Sequence, residues 1–515
     1  MTLRLSISRG TVLVLLLVIL AACALCGRAE EQAPASLAEL QQRLRLHVGQ
    51  PRFRAAAWGV KIVSLDSGAT LFATNDQKLF KPASNAKLFT GAMALDRLGP
   101  AYRIRTSFYA TQLPDRSGVL KSDLTVFGRG DFSFAARFHD GNYSAAIRPL
   151  LDAVHRAGIR KIEGDLVGDE SYFQGSRFGS GWTWDDLQYY YGAEVSALTI
   201  QDNVVDLFIE PGERVGAPCR ISTLPPISFL NILNQTQTTP HGTRSNVDVF
   251  RPLEQNTVHL TGQIPIGGRP LTNAVAVHQP ARWFLDLFRQ ALREAGIEVT
   301  GKSRITSHRT PSDESLRLEI AHVESPPLSA LLPRMMKPSQ NLYAQLLWLQ
   351  TGVCGQTDRR HATAEDLGLR EMKNFLGETG VPARDVLLEE GSGLSRSALV
   401  TPEATVNLLR AMAQHRHANT FYESLPIAGR DGTLRNRMKS SLAEGNVRAK
   451  TGTLRYVNTL SGYVTNRAGE RLVFSVMLNN YFNPGSGSTS RDDVDAIAVW
   501  LAESNFKSAL ISGEQ

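Results

Sequence analysis

Pro82-Ala83-Ser84-Asn85-Ala86-Lys87-Leu88-Phe89-Thr90-Gly91-Ala92-Met93-Ala94-Leu95-Asp96-Arg97-Leu98 is the stretch on which the reading of the chain turns. Leu88 to Leu98 predicts a helix, with Ser84 at its start. Lys87, three residues on, faces the same way, so its amine can reach the serine hydroxyl. A helix N-terminus also favours negative charge developing near Ser84. A serine hydroxyl is a poor nucleophile until a base takes its proton. A lysine serves as that base only where burial or neighbouring cations lower its pKa. Taken alone, Ser-x-x-Lys is ordinarily a helix cap and a solvated lysine. Ser504-Asn505-Phe506-Lys507 repeats the spacing in what reads as an exposed terminal helix.

Two later motifs give the first one its meaning. Ser339-Gln340-Asn341 follows Lys337-Pro338 and precedes an apolar helix, Leu342 to Leu349. Ser339 can relay a proton between Lys87 and a leaving amine, and Asn341 can hydrogen-bond a substrate backbone. By itself this serine reads as an ordinary N-cap. Lys450-Thr451-Gly452-Thr453 lies on an expected edge strand. A cation there can bind a substrate C-terminal carboxylate. Gly452 keeps the edge open for a substrate lying beside it. The N–H groups of Thr453 and Ser84 can pair as an oxyanion hole.

Working outward, Ala35 to Arg54 predicts a helix, and Trp58 to Leu65 and Leu71 to Thr74 predict strands around an Asp66-Ser67-Gly68 turn. Near the other end, Val447 to Leu454, Thr459 to Val464 and Leu472 to Leu478 read as strands, followed by a helix from about Asp492. This implies an α/β (α+β) fold, one antiparallel sheet built from both ends of the chain with helices on its faces. The middle differs. Short alternating runs such as Asp123 to Phe127, Asp165 to Val167, Val204 to Ile209 and Thr257 to Ile266 are interrupted by one helix near Trp283 to Ala295. The expected division is 1–29 as signal peptide, 30–105 as the first catalytic part, 106–305 as a β-rich insertion and 306–515 as the second catalytic part.

Composition sets limits. The 515 residues exceed a single core, and 42% hydrophobic with 20% charged residues suits a globular protein rather than a disordered one. The net charge of +7 comes without a Lys/Arg block, so nucleic-acid binding is not expected. Arg4 and Arg9 precede an apolar run, Val12 to Ala22, which is short for a membrane span and fits an export signal. Leu20-Ala21-Ala22-Cys23 resembles a bacterial lipobox, which would lipidate Cys23 and anchor the protein to a membrane; a competing cut lies after Ala29. Of the other cysteines, Cys219 and Cys354 remain after processing and either pair or stay as thiols. Neither a metalloprotease His-Glu-x-x-His nor a Gly-x-Ser-x-Gly elbow occurs, and no metal or cofactor is expected.

The order Ser-x-x-Lys, Ser-x-Asn, Lys-Thr-Gly is the signature of penicillin-interacting serine enzymes. About 250 residues separate Ser84 from Ser339, far more than in a compact β-lactamase. The chain resembles the class C low-molecular-mass penicillin-binding proteins, D-alanyl-D-alanine carboxypeptidase/endopeptidases with extra domains inserted after the Ser-x-x-Lys helix. The resemblance extends to Gly164-Asp165-Leu166-Val167-Gly168-Asp169, Gly391-Ser392-Gly393-Leu394-Ser395-Arg396 and Leu425-Pro426-Ile427-Ala428-Gly429-Arg430-Asp431-Gly432-Thr433-Leu434. It departs at Glu390 and Gln340, where the family commonly has Asp. The resemblance implies an acyl-enzyme on Ser84, with Lys87 as base and Ser339 as relay. Asn341, Lys450, Thr451, Gly452 and Thr453 would hold substrate. Peptidoglycan stem peptides and β-lactams are the implied ligands. It further implies a pocket for the third stem residue, with Arg396 and Arg455 on its carboxylate and Asp169 on its ammonium. A β-lactamase, separable by nitrocefin turnover, and a non-catalytic peptidoglycan-binding protein are the competing readings. The latter would be expected to lack one of Ser84, Lys87 or Lys450.

Overall fold

Residues along the strand Arg471–Asn479 alternate between two cores, as the pleat of a strand requires. Leu472, Phe474, Val476 and Leu478 enter one core, and Val473 and Met477 enter the other. This strand is the middle of a five-stranded antiparallel sheet, ordered Arg448–Leu454, Val457–Thr465, Arg471–Asn479, Ala57–Ser64, Thr70–Thr74. The two ends of the chain meet where Ala57 lies opposite Asn479 and Ser64 opposite Leu472. In this computed structural model, residues 33–226, 229–308, 318–354, 362–482 and 489–508 are described. The export signal and Cys23 lie outside them.

Helices Leu37–Val48 and Ser490–Glu503 cover the first face through Leu40, Leu44, Val494, Ile497 and Leu501. On the second face, the helix Ala86–Leu98 is buried on every side from Ala86 to Leu95, the mark of a central helix. It packs against Leu328–Met336, Asn341–Val353 and Ala364–Glu378. Among the described residues no helix is long and apolar enough to cross a membrane.

The inserted segment has a core of its own, including Phe108, Val126, Leu166, Trp283 and Phe288. Its main sheet runs Ser303–Thr306, Leu166–Asp169, Leu124–Phe127, Arg105–Ala110, Leu318–Glu324. The similar runs around Leu124 and Leu166 are parallel neighbours in register, and Arg304 bridges their flanking acids, Asp123 and Asp165. Two smaller three-stranded sheets follow, around Val204–Glu210 and Thr257–Pro265.

Several sequence expectations are corrected here. The first helix stops at Val48, because Gly49 and Pro51 end it, and a short turn covers Pro51–Phe53. The insertion holds a second helix, Tyr143–Arg156, whose interior Pro149 obscured Ile147, Leu150 and Val154 at helical spacing. The strand Leu318–Glu324, placed by sequence in the second catalytic part, pairs with Arg105–Ala110 in the inserted sheet. Ser504 lies past the terminal helix, fully buried, with its hydroxyl donating to the Leu501 carbonyl, so the second Ser-x-x-Lys is a helix end. Cys219 is buried and Cys354 exposed, and no disulfide joins them.

Candidate active site

Ala83 takes φ +47 and Ala83–Asn85 forms one 3-10 turn that runs directly into Ala86–Leu98. The turn is tied to the sheet. Asn85 donates to Ser461 Oγ (2.7 Å), and Thr459 Oγ1 donates to the Pro82 carbonyl (2.9 Å). Gly452 lies against it from the edge strand. A Cβ there would fall 2.2 Å from Thr459 Oγ1 and 2.6 Å from the Pro82 oxygen, so only glycine lets strand and turn meet. Ser84 is left half-buried at the floor of the open edge.

Beneath it, Lys87 is fully buried. Its Nζ lies 2.9 Å from Ser84 Oγ, 2.6 Å from Asn341 Oδ1 and 2.7 Å from the Ser392 carbonyl. Asn341 Nδ2 donates to the Tyr191 carbonyl (2.9 Å), which fixes Oδ1 toward the amine. The Asn341 and Ser392 oxygens can only accept. A neutral amine therefore spends its two hydrogens on them and turns its lone pair to the Ser84 hydroxyl. Burial brings this lysine down to about 7, with the Glu390 carboxylate pulling the other way. That is the pKa of a base able to work at neutral pH.

Lys450 is also fully buried, its Nζ donating to Ser339 Oγ (2.8 Å) and the Thr451 carbonyl (2.9 Å). Burial holds it well below the usual lysine range, helped by the charges of Lys87 and Arg437. Its Nζ thus lies behind Ser339 and Thr451 rather than on the surface. Ser339 is not the N-cap. It sits at φ +63, and Gln340 caps Asn341–Val353 by accepting from the Leu342 N–H (3.1 Å). The hydrogen bond of Ser339 is to Lys450, not to Lys87 as its proposed relay role suggested.

Arg448–Leu454 is the edge of its sheet, and its hairpin closes at the Leu454–Val457 pair with two loop residues. The closing pair is the hydrogen-bonded one, so at alternate positions Thr453 and Thr451 turn their backbone groups to the open edge. A donor from the strand edge and the first turn of a buried helix thus flank one serine hydroxyl.

The family described as D-Ala-D-Ala carboxypeptidase 3 (S13) matches residues 40–504. The chain belongs to this family. As an S13 member it is a serine DD-peptidase. It is 33% identical to a D-alanyl-D-alanine carboxypeptidase of Actinomadura sp. (strain R39), covering 91% of this chain and 85% of that one. It is 29% identical to D-alanyl-D-alanine carboxypeptidase DacB of Haemophilus influenzae, over 79% and 82%. The crystal structure of penicillin binding protein 4 from H. influenzae superposes with TM-score 0.75 at 26% identity, covering 90% of this chain and 97% of that one.

The expected third-residue pocket is not assembled as the S13 resemblance implied. Asp169 is fully buried and accepts from the Ser171 N–H (3.1 Å) and hydroxyl (2.6 Å). Arg396 instead meets Asp186 (3.2 Å), a residue that sequence reasoning missed. Asp186 lies in the aromatic segment 182–191, whose Trp184 and Tyr190 are exposed. Arg455 is exposed at the hairpin. Glu390 keeps the role its position demands despite its extra methylene. Its buried carboxylate accepts from the N–H groups of Ser392 (2.7 Å) and Gly393 (2.6 Å), holding the loop whose carbonyl meets Lys87. Gly393 has φ +77, and a Cβ on it would strike the Ala83 oxygen at 1.9 Å. Among the described residues no cluster of acids, histidines and cysteines could hold a metal.

Proposed function

We propose that this DD-peptidase cleaves the bond between the last two D-alanines of peptidoglycan stem peptides through an ester on Ser84. The observation that carries the reading is Lys87, fully buried, near pKa 7, and 2.9 Å from the Ser84 hydroxyl. Lys87 takes the hydroxyl proton as Ser84 attacks the penultimate D-alanyl carbonyl. The oxyanion rests on the N–H groups of Ser84 and Thr453. Lys87 gives up the proton it took, and the departing amine receives one by way of the Ser339 hydroxyl, which Lys450 Nζ meets at 2.8 Å. Asn341 holds the substrate amide, and Thr451 with Thr453 meets its terminal carboxylate. Water then hydrolyses the ester. A terminal D-alanine and a cross-linked peptide differ only in the leaving amine, so carboxypeptidase and endopeptidase reactions share one mechanism. Digestion of intact cross-linked muropeptides measures their balance.

In this reading β-lactams acylate Ser84 as substrate mimics, and Asp186 with Arg396 grips the third stem residue. The protein acts outside the cytoplasm, and the mass of its mature N-terminus separates a lipidated Cys23 from cleavage after Ala29. Intact-mass measurement with a labelled penicillin tests the central claim. One adduct is expected on the wild type and none on Ser84→Ala. Labelling that survives Ser84→Ala would move the nucleophile elsewhere.

A further inference from the structure

Ile427 pairs antiparallel with Arg448, and this short bridge closes the start of the edge strand. Ala428 donates its N–H to the Val447 carbonyl (3.0 Å), and Ala449 donates to the Pro426 carbonyl (3.0 Å). The N–H groups of Thr451 and Thr453, next along the same edge, are left for a substrate. Past the bridge, the same loop reaches the second motif through Asp431-Gly432-Thr433. Lys337 pairs with Asp431, and its carbonyl accepts from the Thr433 N–H (2.9 Å). A Cβ on Gly432 would fall 2.5 Å from that carbonyl oxygen, so the contact is close. Lys337 stands two residues before Ser339. One loop therefore ties the second motif to the third at the end of the open edge. Where they meet, the Thr451 hydroxyl donates to Thr433 Oγ1 (2.7 Å), and neither hydroxyl has another partner among the described residues.

The strand direction says what this pair of hydroxyls faces. This step rests on the oxyanion hole and the carboxylate contact proposed above. A substrate antiparallel to the edge, its scissile carbonyl at the Thr453 N–H, sends its leaving residue toward Thr451. The Ile427 bridge ends the open edge just beyond. The terminal carboxylate can only accept, so it needs the Thr451 hydrogen, which is here spent on Thr433. A hydroxyl is both donor and acceptor, so a bond between two of them can reverse without being lost. We propose that Thr433 is a positioning residue for the terminal carboxylate, acting through the Thr451 hydroxyl. As the carboxylate arrives, Thr451 turns its hydrogen to it, and Thr433 turns its own hydrogen to Thr451. The Thr451 oxygen keeps a partner throughout, and a hydroxyl that accepts a hydrogen bond donates a stronger one. Thr433 thereby favours substrates whose leaving residue carries a free carboxylate. It takes no part in the proton transfers at Ser84.

The test uses the mature protein and two acyl-D-alanyl thioesters, one of mercaptoacetic acid and the other its methyl ester. They differ only in the carboxylate of the leaving group. Thr433→Val removes the hydroxyl and keeps the shape of the side chain. Thr433→Ala removes it with less bulk, and Tm verifies the fold of both. In each, kcat/KM for the acid should fall about ten-fold, the size of one hydrogen bond to a charged group, while that for the methyl ester changes little. Thr433→Ser should restore the wild-type ratio of acid to ester. In a Thr451→Val background, Thr433→Val should cost nothing further, because its route to the carboxylate is gone. An unchanged ratio in both Thr433→Val and Thr433→Ala would overturn the proposal. So would equal losses on both substrates that serine fails to restore, which would make the loop a brace only. An undiminished cost in the Thr451→Val background would overturn it as well. A wild type with no preference for the acid, or with no penicillin on Ser84, would instead refute the reading of the site on which this step rests.

Discussion

Acylation should follow the ionisation of Lys87. Burial takes its amine from 10.5 to about 7. At pH 7 about half of such amines are neutral, whereas an amine left at 10.5 would be neutral in about one molecule in 3,000. The fold thereby raises the available base at neutral pH by about three orders of magnitude. The sign is fixed by the role. A base must be unprotonated, so the acylation rate constant for a labelled penicillin should climb about ten-fold per pH unit below 7 and level off above it. Lys87→Arg places a cation that stays protonated at every accessible pH, so the rate should drop by about 10²–10⁴-fold and the limb should vanish. The same ionisation acts on stability. A lysine whose folded pKa is depressed binds its proton more tightly when unfolded, so stability should rise with pH between about 7 and 10. Lys87→Met should remove that component of the slope. Stopped-flow acylation from pH 5 to 9 is the assay. A flat profile across pH 5.5 to 8 in the wild type would mean that the hydroxyl proton goes to some other group.

Asp131 is fully buried, and its Oδ2 meets no donor among the described residues. Burial raises it from 3.8 to about 6, against hydrogen bonds from Ser133. A raised carboxylate favours the folded state below pH 4, a contribution of about 3 kcal/mol that is lost as pH rises through 6. Asp131→Asn should narrow the gap in denaturation free energy between pH 4.5 and 7, and an unchanged gap would contradict this. Arg396→Ala should lower kcat/KM for diaminopimelate-containing peptides roughly ten-fold more than for a short D-alanyl-D-alanine mimic, with penicillin acylation little affected. Equal losses on all three would show that the Asp186 pair braces the catalytic scaffold.

Catalytic groups on one helix or strand were legible because their spacing is local. Ser84 with Lys87, Ser339 with Asn341, and the glycine of Lys450-Thr451-Gly452 each follow from the period of the element that carries them. The sheet built from both chain ends was legible for the same reason. Contacts set across the fold were not. Arg396 meets Asp186, some 210 residues earlier in the chain, and no periodicity records that. The third partner of Lys87 is a backbone carbonyl, at Ser392, and backbone groups leave no mark in composition. Pro149 inside Tyr143–Arg156 argued against a helix that the packing of Ile147, Leu150 and Val154 sustains. The end of the inserted sheet is likewise set by a pairing of strands about 200 residues apart, Leu318–Glu324 against Arg105–Ala110.

The central sheet also dictates a schedule. Ala57–Ser64 finds its partner strand roughly 400 residues later, which at ribosomal speeds of about 5–20 residues per second is a wait of some 20–80 s. The inserted segment, with its own core, has all its strands long before then. Until Arg471–Asn479 arrives, the sheet whose edge strand flanks Ser84 lacks its middle. The catalytic half is therefore the last part of the molecule to close, although its first strand is among the first segments to be made.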